Sequence, residues 1–312
     1  MNAMIFTVTL NPALDKTIRV PGFAVGRVNR VESARMDPGG KGINVSKVIH
    51  ALGGESVAMG VVGGTAGEFI RDQLDQAGIR NDFVFVGAET RTNLKIVDPE
   101  KGTNTDVNEP GAPVERAALA EVWEKLSTKA AAGDTVVFAG KNPPGVADSQ
   151  LADWITKLRQ ASVHVALDTV GVAMKIGVAA GPSIIKPNEA ELAELCETAL
   201  PTVDGLVLAA KHVVANGVGC VVVSMGEDGA LFVTGHQILR AYGVSVPVGS
   251  TVGAGDSMLA SILVDLEKGR PWEEIAARSV AVSAANVMCS GTQPAELSVI
   301  EPLIGKVRVE QL

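Results

Sequence analysis

Pro38-Gly39-Gly40-Lys41-Gly42-Ile43-Asn44-Val45-Ser46-Lys47-Val48-Ile49-His50-Ala51-Leu52 changes character halfway along. Its first half is a glycine turn, in which successive glycines let the backbone approach a ligand closely. In its second half Val45, Val48, Ile49 and Leu52 stand at i, i+3, i+4 and i+7, one face of a helix. Val57–Val62 follows as a short apolar run of strand type. The same rhythm recurs along the chain. Met4–Thr9, Thr135–Ala139, Val163–Asp168, Ser183–Lys186 and Cys220–Ser224 read as further strands. From Gly255 to Lys268, Leu259, Ile262, Leu263 and Leu266 repeat the helical spacing. Strands alternating with helices build right-handed βαβ units and a mostly parallel sheet covered on both faces. The expected class is therefore α/β.

Two segments break this rhythm. Residues 12–35 and 89–110 are richer in charge, Thr, Gly and Pro, and alternate like exposed strands in Thr17-Ile18-Arg19-Val20 and Asn93-Leu94-Lys95-Ile96-Val97. Either they pair into a small sheet lying as a lid over a core of residues 1–11, 36–88 and 111–312, or they are two surface hairpins.

With 46% hydrophobic and 20% charged residues the composition is globular. The mean hydropathy of +0.25 fits buried parallel strands. A net charge of −8 argues against a nucleic-acid or acidic-membrane surface, which needs a basic patch. It leaves room for a phosphate ligand, which needs only local cations and aligned N–H groups. Cys196, Cys220 and Cys289 are far apart and form no C-x-x-C pair, so they read as reduced thiols of a cytoplasmic protein. The opening lacks a basic n-region, and no run approaches the ~18 apolar residues of a membrane span.

Four elements carry candidate chemistry. The turn at Gly39–Gly42 opens a helix, whose N-terminus adds partial positive charge to that of Lys41. It also fits an ordinary strand-to-helix turn. No Walker A pattern exists anywhere. Ser250-Thr251-Val252-Gly253-Ala254-Gly255-Asp256 opens a second helix. Its Gly-Ala-Gly turn can present N–H groups to a transferring phosphoryl group, with Asp256 placed to take a proton from an attacking hydroxyl. The alternative is an Asp that merely caps the helix. In Lys186-Pro187-Asn188-Glu189-Ala190-Glu191, Asn188 and Glu191 share a helical face and suit Mg²⁺ held through water. They equally suit a generic helix start with Pro at its first position. Ser224-Met225-Gly226-Glu227-Asp228-Gly229 ends a buried strand at the carboxyl edge, where α/β sheets bind ligands. The four together would converge on one edge of one sheet.

In that order the motifs resemble the PfkB carbohydrate kinases, of ribokinase-like fold. The two signatures correspond to Gly39–Ser46, continuing through Leu52-Gly53-Gly54, and to Ser250–Ser257. Thr9-Leu10-Asn11-Pro12-Ala13-Leu14-Asp15 and Thr90-Arg91-Thr92-Asn93 are similar to the family's phosphosugar branch. The resemblance implies a three-layer sandwich with a β-lid that forms a homodimer contact. It implies ATP-dependent phosphorylation of a ketohexose phosphate: fructose 1-phosphate first, tagatose 6-phosphate or fructose 6-phosphate as alternatives. It assigns the sugar to Asp15, Gly39, Gly40, Lys41 and Asn44, and its phosphate to Arg27 and Arg91. It assigns ATP to Lys186, Asn188, Ser224, Gly226, Gly229, Gly253, Gly255 and Asn286. Gly253, Ala254 and Gly255 form the anion hole and Asp256 is the base. Asn188 and Glu191 organise Mg²⁺, and main-chain oxygens at Ser250, Val252 and Cys289 hold K⁺. One departure stands out: the branch has Ser-Gly-Ser-Leu-Pro where this chain has Ala139-Gly140-Lys141-Asn142-Pro143, so Lys141 replaces a serine that contacts phosphate in relatives.

Two other classes fit less well. A non-catalytic nucleotide- or sugar-binding regulator has no need of the base. A nicotinamide-dependent dehydrogenase would want a G-x-G-x-x-G after the first strand, which is missing.

Overall fold

The computed structural model describes residues 3–289 and 291–312. Strand β1 (Ile5–Thr9) is buried along its length, and its side chains alternate between two cores. The chain then leaves for β2 (Ala13–Arg19) and β3 (Ser33–Gly39) and returns through α1 (Lys41–Ala51), β4 (Ser56–Gly63), α2 (Gly64–Gln76) and β5 (Arg80–Val86). A second excursion makes β6 (Thr92–Asp98) and β7 (Thr103–Asn108). Next come α3 (Arg116–Lys129), β8 (Thr135–Ala139), α4 (Asp148–Gln160), β9 (His164–Asp168), α5 (Gly171–Ala179), β10 (Ile184–Ile185), α6 (Glu189–Leu195), α7 (Val203–Ala215) and β11 (Cys220–Ser224). The hairpin β12 (Gly229–Thr234) and β13 (Ile238–Tyr242) precedes α8 (Ala254–Glu267), α9 (Trp272–Val287), α10 (Leu297–Ile304) and β14 (Val309–Gln311).

The main sheet has ten strands in the order β14-β13-β12-β11-β10-β9-β8-β1-β4-β5. All neighbours from β5 to β11 are parallel, while β12, β13 and β14 add an antiparallel margin. On one face Phe6, Val8 and Phe138 pack with Leu119, Val122 and Trp154 of α3 and α4. On the other, Ile5 and Val137 pack with Val45 and Val48 of α1 and Leu259 and Leu263 of α8. Each such side chain contributes about 1.5–3 kcal/mol on burial. Thr7 between them is also buried, and its hydroxyl pairs with Ser46 Oγ at 2.7 Å, which meets the hydrogen-bonding need of both groups.

The two excursions form one sheet, in the order β3-β2-β6-β7. β2 and β6 run parallel and the outer pairs antiparallel, so separate hairpins are excluded. Residues 36–39, grouped with the core by composition, belong to β3 and pair with Ala13–Lys16. Composition misplaces them because Pro38 and Gly39 read as a turn, yet both continue the strand. Because β1, β8, β9, β10 and β11 are parallel, Thr9, Ala139, Asp168, Ile185 and Ser224 all end at the same edge, with α1 and α8 beginning nearby. No helix among the described residues is long and apolar enough to cross a membrane.

Candidate active site

Asp256 lies in the first turn of α8, but it does not cap the helix. The N-cap is Gly253, left-handed at φ 84°, a conformation glycine adopts without steric cost. Asp256 is 6% exposed, and its Oδ2 accepts from Asn44 Nδ2 of α1 at 2.9 Å. Ser257 N–H donates to Gly253 O, whereas the N–H groups of Gly255 and Asp256 have no acceptor among the described residues. Asn286 Oδ1 of α9, buried and without a hydrogen bond, lies close to Gly253. Free amides at a helix start make an anion site.

Sequence reasoning missed Asp168, the fully buried last residue of β9. Lys41 Nζ donates to its Oδ1 at 2.9 Å, and Lys186 Nζ faces its Oδ2 at 3.5 Å. One carboxylate thus stands between two lysines, assigned respectively to the sugar and to ATP. Lys186 Nζ also lies 2.9 Å from where a Cβ at position 255 would sit, so any side chain there would push the ammonium away. Burial opposes ionisation of Asp168, but Lys186 and then Lys41 outweigh it and hold the carboxyl below its usual range. Burial also opposes the charge on Lys41, and Asp168 and Asp256 overcome it, raising the ammonium. For Asp256 the balance reverses: burial, reinforced by the charge of Asp168, raises it against Lys41, Asn44 and Lys186. The one sequence signal for Asp168 was a charge closing an apolar run at the ligand edge.

Asn188 and Glu191 form a reciprocal capping box at the start of α6. Asn188 Oδ1 accepts from Glu191 N at 2.8 Å, and Glu191 Oε2 accepts from Asn188 N at 2.9 Å. Pro187 precedes the cap rather than occupying the first helical position. Each side chain keeps oxygen lone pairs that can bind a hydrated cation. Ser224 N–H donates to Pro187 O, and Asn188 bridges to Ser224, so these two motifs are adjacent. Gly226 opens a 3-10 turn and Gly229 begins β12.

From the small sheet, Asp15 accepts from Asn93 Nδ2 at 3.0 Å. Burial raises its carboxyl, against that hydrogen bond and the charge of Lys47. Gly39 pairs with Ala13 at the root of this sheet, and Gly40 is the N-cap of α1. Arg91 turns its guanidinium to the backbone, donating to Asn11 O at 3.1 Å, Pro12 O at 3.3 Å and Glu109 O at 2.8 Å. Arg27 lies exposed between β2 and β3, and Lys141 lies exposed after β8. Neither side chain makes a hydrogen bond or ion pair among the described residues, so no polar contact ties them to the other site residues. Lys47 and Lys95, also missed, do reach the site. Lys47 Nζ contacts Asn44 Oδ1 at 3.4 Å, and Lys95 Nζ contacts Ser250 Oγ at 3.4 Å. Lys47 sits three residues after Asn44 and so shares its helical face; Lys95 carried no signal.

Gly249 and Ser250 both donate to Val287 O, which brings the Ser250–Val252 loop against the end of α9 near Cys289. No cluster of three His, Cys, Asp or Glu side chains suited to a metal occurs among the described residues.

Known proteins resemble the chain over nearly its whole length. The chain is 35% identical to a 1-phosphofructokinase of Haemophilus influenzae, over 99% of each chain. Phosphofructokinase-2 from Escherichia coli, solved in complex with substrates and products, superposes with a TM-score of 0.94 at 29% identity, covering 97% of this chain and 99% of that one. A ribokinase from Thermotoga maritima superposes at 0.77 and 21% identity over 97% and 99%, which fixes the ribokinase-like fold. The family described as pfkB family carbohydrate kinase matches residues 8–298, and with Asp256 behind its glycine turn at the sheet edge, this chain belongs to that family.

Proposed function

We propose that the chain transfers the γ-phosphoryl of ATP to a primary hydroxyl of a ketohexose phosphate, converting fructose 1-phosphate to fructose 1,6-bisphosphate. The observation that carries this reading is Asp256 itself, a buried carboxylate with one oxygen held by Asn44, beside two free amides at a helix start. Its other oxygen accepts the hydroxyl proton as the sugar oxygen bonds to the γ-phosphorus and the bond to the bridging oxygen breaks, releasing ADP. The amides of Gly255 and Asp256, with Lys41 and Lys186, face the charge that spreads over the transferring group. Asn188 and Glu191 would hold Mg²⁺ through water, which would neutralise charge on the phosphates. Asp15, Gly39, Gly40 and Asn44 bind the sugar. Arg27 and Lys141, exposed cations without a side-chain partner among the described residues, would serve its existing phosphate together with whatever donor Arg91 keeps beyond its backbone carbonyls, and Ser224, Gly226, Gly229 and Asn286 line the ATP side. The small sheet acts as a lid that excludes water.

Fructose 1-phosphate is favoured because the Haemophilus relative bears the name 1-phosphofructokinase. Tagatose 6-phosphate and fructose 6-phosphate are the alternatives. In a panel of the three, kcat/KM is expected to be highest with fructose 1-phosphate. A preference for fructose 6-phosphate would overturn the assignment.

Gln can replace Glu in a capping box but carries no charge. Glu191→Gln should therefore melt like the wild type while needing ~10-fold more Mg²⁺, or more, for half-maximal rate. An unchanged Mg²⁺ requirement would leave Glu191 a helix cap only.

Carbonyls of Ser250, Val252 and Cys289 are the proposed K⁺ ligands. The lid is the proposed homodimer contact, since β7 is exposed throughout and Val25, Val28 and Val107 stand in solvent. Three free cysteines support a cytoplasmic setting.

A further inference from the structure

We infer that Lys47 is a positioning residue: by fixing the orientation of the Asn44 amide it aims the Asp256 carboxylate at the acceptor hydroxyl. The inference rests on Asp256 being the base. An ammonium has three donors and no acceptor, and Lys47 directs its donors to three segments of chain. Nζ donates to Asn44 Oδ1 at 3.4 Å, to Pro38 O in β3 at 3.1 Å, and to Thr292 Oγ1 beyond α9 at 3.3 Å.

The two ends of the Asn44 amide are chemically opposite, one accepting and one donating. A cation at Oδ1 selects one orientation and turns Nδ2 towards Asp256 Oδ2, at 2.9 Å. The flipped amide would set its oxygen against the carboxylate and its NH₂ against the ammonium, so both contacts would become repulsive. With Oδ2 occupied, Asp256 offers Oδ1 to the incoming hydroxyl. Burial lowers the Lys47 ammonium from its ordinary value; the charges of Asp37, Asp15 and Asp256 work against that and favour the cation, while Arg35 opposes them. The contact with Pro38 O places the same ammonium at the root of the lid strand β3. One side chain therefore links lid position to the aim of the base.

Lys47→Met keeps the length and removes the donors. We expect kcat to fall ~10- to 100-fold, as for loss of a charged hydrogen bond, with KM for MgATP within about twofold of wild type. Lys47→Arg should recover most of the rate. In an Asn44→Ala background the Met substitution should have no further effect on kcat, because Lys47 acts through Asn44. Should Lys47→Met fail to fold, Lys47→Gln is the variant measured. Near-normal kcat in Lys47→Met, or losses that multiply in the double variant, would overturn the inference. Asp256→Asn assayed alongside separates the two readings. If it keeps turning over, both fall; if it is inactive while Lys47→Met is normal, only the role of Lys47 falls.

Discussion

Asp256→Asn lowers kcat by at least ~10²–10⁴-fold and leaves KM for MgATP close to wild type. The amide side chain preserves shape and can still accept from Asn44 Nδ2 through its oxygen, so the contact between α1 and α8 survives. What is lost is the oxygen that takes the proton. The free amides of Gly255 and Asp256 remain, and so do Lys41 and Lys186, which is why nucleotide binding is spared. Steady-state kinetics with a coupled ADP assay reads both parameters, and a variant that kept normal turnover would exclude Asp256 as base. The wild-type pH profile adds a second reading. A base works only when deprotonated, so the rate falls as pH drops through its pKa. Burial and the charge of Asp168 raise that pKa, so the acidic limb of kcat should lie above the ordinary carboxylate value of about 3.9.

Asp168→Asn strikes stability and catalysis together. Asp168 is fully buried between two ammonium groups. Removing its charge leaves Lys186, itself buried, beside Lys41 with less opposing charge, and breaking such a buried arrangement costs about 3–5 kcal/mol. Thermal or urea unfolding would measure the loss. The sign with pH is fixed. Because the folded-state pKa of Asp168 is held below the unfolded one, its contribution is present above the unfolded value and fades as the solution is acidified through the folded one. The catalytic signature is separate. Without the charge of Asp168, Lys41 and Lys186 act on Asp256 with only burial against them, its pKa falls, and the acidic limb of kcat moves to lower pH. An unmoved limb in a folded, active variant would show that Asp168 does not tune the base.

The parallel core was legible because buried strands appear as unbroken apolar runs and α1 and α8 carry clear helical spacing. The antiparallel margin of β12, β13 and β14 was not, since Gly229–Thr234 looks like any other apolar run. The placement of Asp256 was legible through its neighbours, since Gly253-Ala254-Gly255 before an Asp mark a turn that opens a helix, while its role as cap or base stayed open at that level. Asp168 was hidden because a lone Asp closing a strand is only a weak signal, and its partners lie 127 residues away at Lys41 and 18 residues away at Lys186. Asn188 and Glu191 show the opposite case. Their spacing satisfies a helix cap and a cation site equally, and the structure contains the cap. For Arg91 the residue was legible but its surroundings were not, since backbone carbonyls leave no trace in a sequence.

Those carbonyls give Arg91 a wider consequence. Asn11, Pro12 and Glu109 flank separate crossings between the main sheet and the small one, and a single guanidinium gathers all three. The crossing that enters β2 and the one that leaves β7 are therefore tied at a single point, and the two chain excursions, already paired through β2 and β6, share one anchor at the root of the small sheet. Main-chain oxygens cannot mutate, so no substitution on the receiving side can compensate for a change at this position. A related chain lacking a planar, many-donor group here would have to rebuild the junction by another route.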